Sequence, residues 1–280
     1  MTSDPSRFHP IPSESLKGPP FMDYVEPEDA QKLPGLRLAL TTGVPGPWSE
    51  AAKSIFHVKK LDYVPVRQTA MDPNDALVSW TGHRNAPQAI YEDGPARIGW
   101  EEILALAERL APEPSLVPPD ERERALMYGL SHALCSEDGL GWNRRHQLLA
   151  PMLSLPGADS NPALAGANVL GDSYGWSVEA AAHADARVCS ILGLFSEQLA
   201  NQKAAGSKYL VGESLTAVDI YWAAFAALLR PLPPEQCPMP ESLRAGYSGT
   251  TPATDAALDE ALLAHRDFIY ETHLQLPLSF

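Results

Sequence analysis

The sequence predicts an α+β protein, with a small mixed α/β half followed by an all-helical half. Three observations carry this. Strand-like and helix-like periodicities alternate from Leu36 to Leu110. A Pro-rich break, Ala111-Pro-Glu-Pro-Ser-Leu-Val-Pro-Pro, then interrupts the chain. Beyond Asp120 only helical patterns and Gly- and Pro-rich connections follow. The 280 residues suffice for two domains with a sizeable core. The expected division is an extension over 1–34, a mixed domain over 35–111, a linker over 112–119 and a helical domain over 120–280.

Residues 1–34 are rich in Pro, Ser and acidic residues and read as an extension, wrapped on the surface or partly disordered. Leu36-Arg-Leu-Ala-Leu-Thr alternates and suits a half-buried strand. After the turn cluster Thr42-Gly-Val-Pro-Gly-Pro, Ser49 is placed to cap a helix to about Leu61, with Ala52, Ile55, Phe56 and Lys59 at helical spacing. Tyr63-Val-Pro-Val-Arg is a second strand whose Pro favours an edge or a strand start. Residues 72–86 read as irregular or briefly helical. Pro87–Tyr91 and Ala96–Gly99 form two short strands around Glu92-Asp-Gly-Pro, and Trp100–Leu110 is a helix with Ile103, Leu106, Ala107 and Leu110 on one face. A βαβ unit, a hairpin and a helix is the order of a thioredoxin-like half. Helices are expected near 120–136, 142–154, 177–203, 216–230 and 254–273, separated by connections over 155–176 and 231–252.

The net charge of -14 argues against nucleic acid and anionic membrane surfaces as partners. Three scattered cysteines, Cys135, Cys189 and Cys237, fit a reducing compartment rather than a disulfide framework. With no apolar signal segment and no membrane-spanning run, a cytoplasmic location is expected. The eight histidines are scattered, and His132 with Cys135 makes only two ligands, so no metal site is expected.

The most informative stretch is Tyr209-Leu-Val-Gly-Glu-Ser-Leu-Thr-Ala-Val-Asp-Ile-Tyr-Trp. Thr216 is a good N-cap and Asp219 follows three residues on. The Thr216 hydroxyl is placed to accept from the Asp219 N–H and the Asp219 carboxylate from the Thr216 N–H. The run Ile220–Leu229 is too apolar for a surface helix. Gly212, Thr216 and Asp219 together resemble the buried-helix capping box of the cytosolic glutathione transferases. Pro47-Trp48-Ser49 resembles the start of the first helix in omega-like members, and Asn85-Ala86-Pro87 resembles the cis-Pro turn of that fold.

The resemblance implies a thioredoxin-like domain followed by a helical bundle, glutathione as co-substrate, an apolar electrophile as second substrate, and a homodimer. It implies that Ala86, before cis-Pro87, offers its backbone to the glutathione cysteinyl group. Where omega-like members carry Cys before Pro-aromatic, this chain has Gly46, and Thr41 and Thr42 are the nearest hydroxyls for a thiolate. Where the family has a Glu/Gln-Ser pair for the γ-glutamyl group, this chain has Gly99-Trp100-Glu101-Glu102. Glu101 or Glu102 is then the group for the ligand's ammonium, or else a solvated helix start.

Other candidates stand open in the same way. Thr42 reads as a thiolate donor or as a turn residue bonding backbone, and Trp48 as a wall of the ligand cleft or a core anchor. Trp142-Asn-Arg-Arg-His146 reads as a carboxylate-binding cluster on the cleft or as an ion-pair surface over a buried Trp142. Tyr174 and Trp176 read as a lid or as pins for a long loop. Cys135 reads as a buried, inert thiol. The leading functional expectation is a divergent glutathione transferase or lyase. The rival is a non-catalytic binding or scaffold protein, favoured by Gly46 and the altered Glu-Ser position.

Overall fold

The structure is a computed structural model that describes residues 22–280. Residues 1–21 of the expected extension lie outside the described residues. The rest of it runs along the outer edge of the sheet. Val25 bridges Val66 in parallel, and α1 (Pro27–Ala30) follows.

Three strands, β1 (Leu36–Thr41), β2 (Val64–Gln68) and β3 (Gln88–Tyr91), form a mixed sheet in the order β2-β1-β3. β1 pairs parallel to β2, with Leu38 opposite Pro65, and antiparallel to β3, with Leu38 opposite Ala89. The expected strand Ala96–Gly99 is reduced to a single antiparallel bridge between Ala89 and Arg97. β1 is buried along nearly its whole length rather than half-buried. Leu36, Leu38 and Leu40 pack on α2 (Pro47–Val58) and α4 (Trp100–Leu110), while Ala39 and Val66 are covered by Ala30 and by Leu77 of α3 (Asp75–Thr81). The second face is covered by the extension and α3, which lie outside the strand's own pattern. α2 starts at Pro47 with Gly46 as N-cap, not at Ser49, because the fixed φ of proline suits the first helical position.

The helical half comprises α5 (Glu121–Cys135), α6 (Leu140–Leu153), α7 (Ala165–Ser173), the 27-residue α8 (Val178–Ala204), α9 (Ala217–Phe225), α10 (Glu241–Ser248), α11 (Pro252–Ala257) and α12 (Glu260–His273). The expected helix over 254–273 is two helices, broken at extended Leu258 and restarted by Asp259, whose carboxylate accepts from the Ala261 N–H. The expected connections over 155–176 and 231–252 contain α7 and α10.

All of α9 is buried at the centre of this half. It packs on α2, α5 and α12, so the two halves share one continuous apolar core. The Asp219 carboxylate, fully buried, accepts from the Leu210 N–H (2.8 Å), the Thr216 N–H (2.9 Å), the Thr216 hydroxyl (2.9 Å) and His265 Nε2 of α12 (2.9 Å). The Thr216 hydroxyl thus gives its proton to Asp219 Oδ2, beyond the expected role as an acceptor.

Candidate active site

The crevice between the halves is built by three chain segments from the first half. The turn after β1 leads into α2, the Asn85–Pro87 turn leads into β3, and Ile98-Gly99 leads into α4. The Ala86–Pro87 bond is cis, as the turn predicts. Among the described residues, neither the N–H nor the C=O of Ala86 has a hydrogen-bond partner. Unpaired backbone in the bend that leads into a strand is a group a peptide ligand can complete.

Both helix starts facing the crevice are open. Gly46 has no side chain to cap α2, and the N–H groups of Trp48 and Ser49 have no acceptor among the described residues. At α4 the N–H groups of Trp100, Glu101 and Glu102 are likewise free. Helix N-termini with free N–H groups carry partial positive charge and suit an anion.

The two threonines are brought to the rim but are already engaged. Thr41 Oγ1 donates to Gln68 Oε1 at 2.8 Å, and Thr42 Oγ1 donates to the Gln68 carbonyl at 3.3 Å. The Thr42 bond is long and its loss to a ligand would cost little; the Thr41 bond is short. At Gly46 a Cβ would meet nothing within 4 Å, so the backbone has room for the side chain it lacks.

Glu102 is committed to its own helix. Its carboxylate accepts from the N–H groups of Ile98 (3.0 Å) and Gly99 (3.2 Å), the reach-back arm of a capping box. Glu101 is exposed and makes no hydrogen bond among the described residues. Trp100 leans onto the helical half. Its indole donates to Ser136 Oγ (2.9 Å) and meets Tyr221 edge-on.

Trp48 is both wall and anchor. It lines a narrow apolar crevice of about 20 Å³ with Ile55, Pro87, Trp100, Tyr221 and Phe225. Its indole also donates to the Cys135 carbonyl (2.9 Å), tying α2 to the end of α5. Gly141, at the start of α6, makes the fit possible, since a Cβ there would lie 2.5 Å from Phe225 and 2.8 Å from Trp48. Cys135 is buried, and burial, then the charge of Glu101, pushes its thiol well up, as an inert thiol requires.

The helical half closes the crevice from above. α7 reaches across so that Arg84 Nη2 donates to Ser173 Oγ at 2.6 Å, and Gly166 sits against Met71. Tyr174, just past α7, lies 5.8 Å from Trp48 and 4.8 Å from Trp142, and its carbonyl is 2.8 Å from His146 Nε2. The 155–176 stretch is therefore pinned across the crevice.

The Trp142–His146 cluster is not an ion-pair surface over a buried Trp142. Trp142 is only partly buried, whereas Arg144 is fully buried. Arg144 donates to the Leu228 carbonyl at 2.9 Å and to Gln147, and reaches the Tyr247 and Gly249 carbonyls at 3.4 Å. Burial, then the neighbouring Arg145 charge, lowers its pKa to about 10, so it stays charged at neutral pH. Arg145 lies against Tyr174 and Tyr247 and makes no ion pair among the described residues.

No family model and no curated protein matches the sequence. Solved structures do match in fold. One is a glutathione S-transferase from Methylobacterium radiotolerans in complex with glutathione sulfonate (16% identity, TM-score 0.58, 85% of this chain and 91% of that chain). Another is a glutathione S-transferase from Methylobacillus flagellatus with GSH bound (14% identity, TM-score 0.58, 84% and 95%). A third is the β-etherase LigF from Sphingobium (19% identity, TM-score 0.55, 83% and 94%). At these identities the likeness establishes the fold. The chain has the glutathione transferase fold, a thioredoxin-like half followed by a helical half.

Proposed function

From this fold, we propose that the chain binds glutathione in the crevice between its halves and uses its sulfur on a small apolar electrophile. The observation that carries the reading is the unpaired Ala86 backbone beside the two open helix starts of α2 and α4. The cysteinyl backbone of glutathione pairs with Ala86, and its γ-glutamyl carboxylate takes the N–H groups at the start of α4. The ammonium goes to Glu101, since Glu102 is held by its own helix. The thiol gives up its proton to solvent, and the thiolate is stabilised by the Trp48 and Ser49 N–H groups at the start of α2. Thr42 lends its hydroxyl only by giving up the long bond to Gln68. The sulfur then bonds to the electrophilic carbon while the leaving group departs.

Binding is weaker than in relatives with the Glu-Ser pair, by about tenfold to a hundredfold for one charge-assisted hydrogen bond lost. A calorimetric titration with glutathione tests this. A measurable heat of binding at millimolar ligand supports the reading, and its absence overturns it. Thr42→Val then separates donors: unchanged conjugation assigns the thiolate to the α2 N–H groups. Gly46→Ser, for which the backbone has room, is expected to raise conjugation.

The second reading is a binding or scaffold protein without thiol chemistry. Gly46 and the engaged Thr41 and Thr42 hydroxyls favour it. It takes over if glutathione binds and no conjugation follows, even with Gly46→Ser. We further propose a homodimer, by likeness to the family. Sedimentation showing only a 30.3 kDa species at micromolar concentration would reject it.

A further inference from the structure

The ring of Tyr174 occupies a slot built for something aromatic. Trp48 lies 5.8 Å away and tilted, Trp142 lies 4.8 Å away and edge-on, and the Arg145 guanidinium carbon sits 5.8 Å over the ring. On its other side the same guanidinium lies 5.6 Å over Tyr247. These walls come from three places: α2, the first two turns of α6 and, through Tyr247, α10. The occupant comes from a fourth, the end of α7. It is held to the walls by the stacking itself, by the Arg145 side chain that also meets the Tyr174 hydroxyl, by one His146 contact to its carbonyl, by Gly171 of α7 packing on Leu153 of α6, and by the Arg84–Ser173 bond further up α7. Gly175, with φ +60°, follows immediately and gives the backbone a left-handed joint at which the segment can turn.

Arg145 is the unusual member. No carboxylate lies within ion-pair distance of it among the described residues, in a chain whose net charge is -14. Its Nε is buried and has no hydrogen-bond partner. A buried guanidinium donor left unbonded is a standing cost that an arriving carboxylate would remove. Arg144, one residue away, shows the contrast, since its nitrogens are bonded to carbonyls and to Gln147.

We propose that Tyr174 stands in for the second substrate, which is then an aromatic anion rather than the wholly apolar electrophile of the reading above. Displacing its ring opens a slot for an aromatic compound carrying a carboxylate. The ligand's ring lies between Trp48 and Trp142, and its carboxylate pairs with Arg145. This rests on the glutathione reading only in identifying which substrate the slot serves. Arg145 is a specificity-determining residue in this arrangement, and Tyr174 a plug that competes with the ligand.

The test uses the full chain without glutathione, so that its result is independent of whether glutathione binds. Phenylacetate and its neutral isostere phenylacetamide are titrated, with tryptophan fluorescence and calorimetry as readouts. The acid is expected to bind at least about tenfold more tightly than the amide, the worth of one charge-assisted hydrogen bond. Tyr174→Ala removes the competing ring and is expected to tighten phenylacetate binding severalfold, whereas Tyr174→Phe keeps the ring, loses only the hydroxyl that meets Arg145, and is expected to have a smaller effect than Tyr174→Ala. Arg145→Gln is expected to bring acid and amide to equal affinity. If that variant does not fold, the acid-to-amide ratio in the wild type and in Tyr174→Ala decides. Equal binding of acid and amide, no binding of either to Tyr174→Ala, or weaker acid binding after Tyr174→Ala overturns the proposal.

Discussion

Two kinds of helix start stand a short distance apart in this molecule, and they are finished differently. α9 begins deep in the core. Its Ala217 N–H donates to the Leu116 carbonyl of the linker (2.9 Å), and Asp219 collects four donors from three segments of the helical half. α2 and α4 begin at the crevice. Glycine is the N-cap of both, and the first N–H groups are left without protein partners. Buried polar groups without partners cost free energy, so the core start has to be saturated. Solvent can serve the exposed start of α4, whereas at α2 Pro47 and Ser49 are buried and the free N–H groups meet only the crevice. The difference separates a stability element from the element proposed to bind, without reference to any relative.

The largest break in this comparison is Asp219→Ala. It strands the Leu210 and Thr216 N–H groups, the Thr216 hydroxyl and His265 at once. At about 1–3 kcal/mol for each unsatisfied buried group, with some relaxation, a loss of roughly 3 kcal/mol or more is expected. Thr216→Ala should cost about 1 kcal/mol as a lost N-cap. The double variant should cost less than the sum, because both residues serve one unit. Urea unfolding of the three variants measures this, and strict additivity would mean that the two side chains act separately.

A smaller effect is expected where the crevice meets the core. Trp48→Phe keeps an aromatic ring against Phe225 but removes the bond to the Cys135 carbonyl. The loss of one part-buried hydrogen bond is about 1 kcal/mol. If the denaturation midpoint does not move, Trp48 belongs to the ligand wall alone and not to the join between the halves.

The first turn of α2 also carries Glu50, a buried carboxylate that turns away from its own helix start to meet Lys53 at 2.8 Å. Burial raises its pKa, against the pull of Lys53. A carboxyl with a raised folded pKa binds more protons in the native state than in the unfolded one. Its contribution is therefore complete below the ordinary carboxylate range, about 4.3, and is lost as pH rises through the raised value. Stability should fall over that window in the wild type and stay flatter in Glu50→Gln. Parallel profiles for the two proteins would remove Glu50 from the account.

Most of the frame was legible because its signals are local. β1 and α4 follow from spacing alone, α5 begins at the expected boundary with Asp120 as its N-cap, and the Thr216–Asp219 box is three residues long. The segment pinned across the crevice was not legible as a helix. α7, Ala-Gly-Ala-Asn-Val-Leu-Gly-Asp-Ser, has two glycines and no side-chain cap, and its hold on the crevice is a bond to Arg84, 89 residues away. The burial of Arg144 is invisible in the sequence for a related reason. An arginine on a helix between polar neighbours reads as surface, and the carbonyls that accept from it lie 84 to 105 residues on. At the site, Glu101 and Glu102 are indistinguishable in sequence. Only the fold of the Ile98-Gly99 backbone over Glu102 separates them.

That separation gives the smallest stability effect and a sharp functional one. Glu101 is exposed and unbonded, so Glu101→Gln should change unfolding free energy by no more than about 0.5 kcal/mol. Glu102→Ala, which frees the Ile98 and Gly99 N–H groups, should cost slightly more, about 0.5–1 kcal/mol for a cap arm in solvent. Glutathione affinity should rank the two the other way. Glu101→Gln removes the charge facing the ligand ammonium and should weaken binding about tenfold. Glu102→Ala keeps that charge and leaves the α4 N–H groups free for the carboxylate, so affinity should hold. Calorimetry on both variants, with urea unfolding in parallel, reads the two scales together. If Glu102→Ala loses affinity and Glu101→Gln does not, the ammonium belongs to Glu102, and the cap seen at α4 is an arrangement that the ligand undoes on binding.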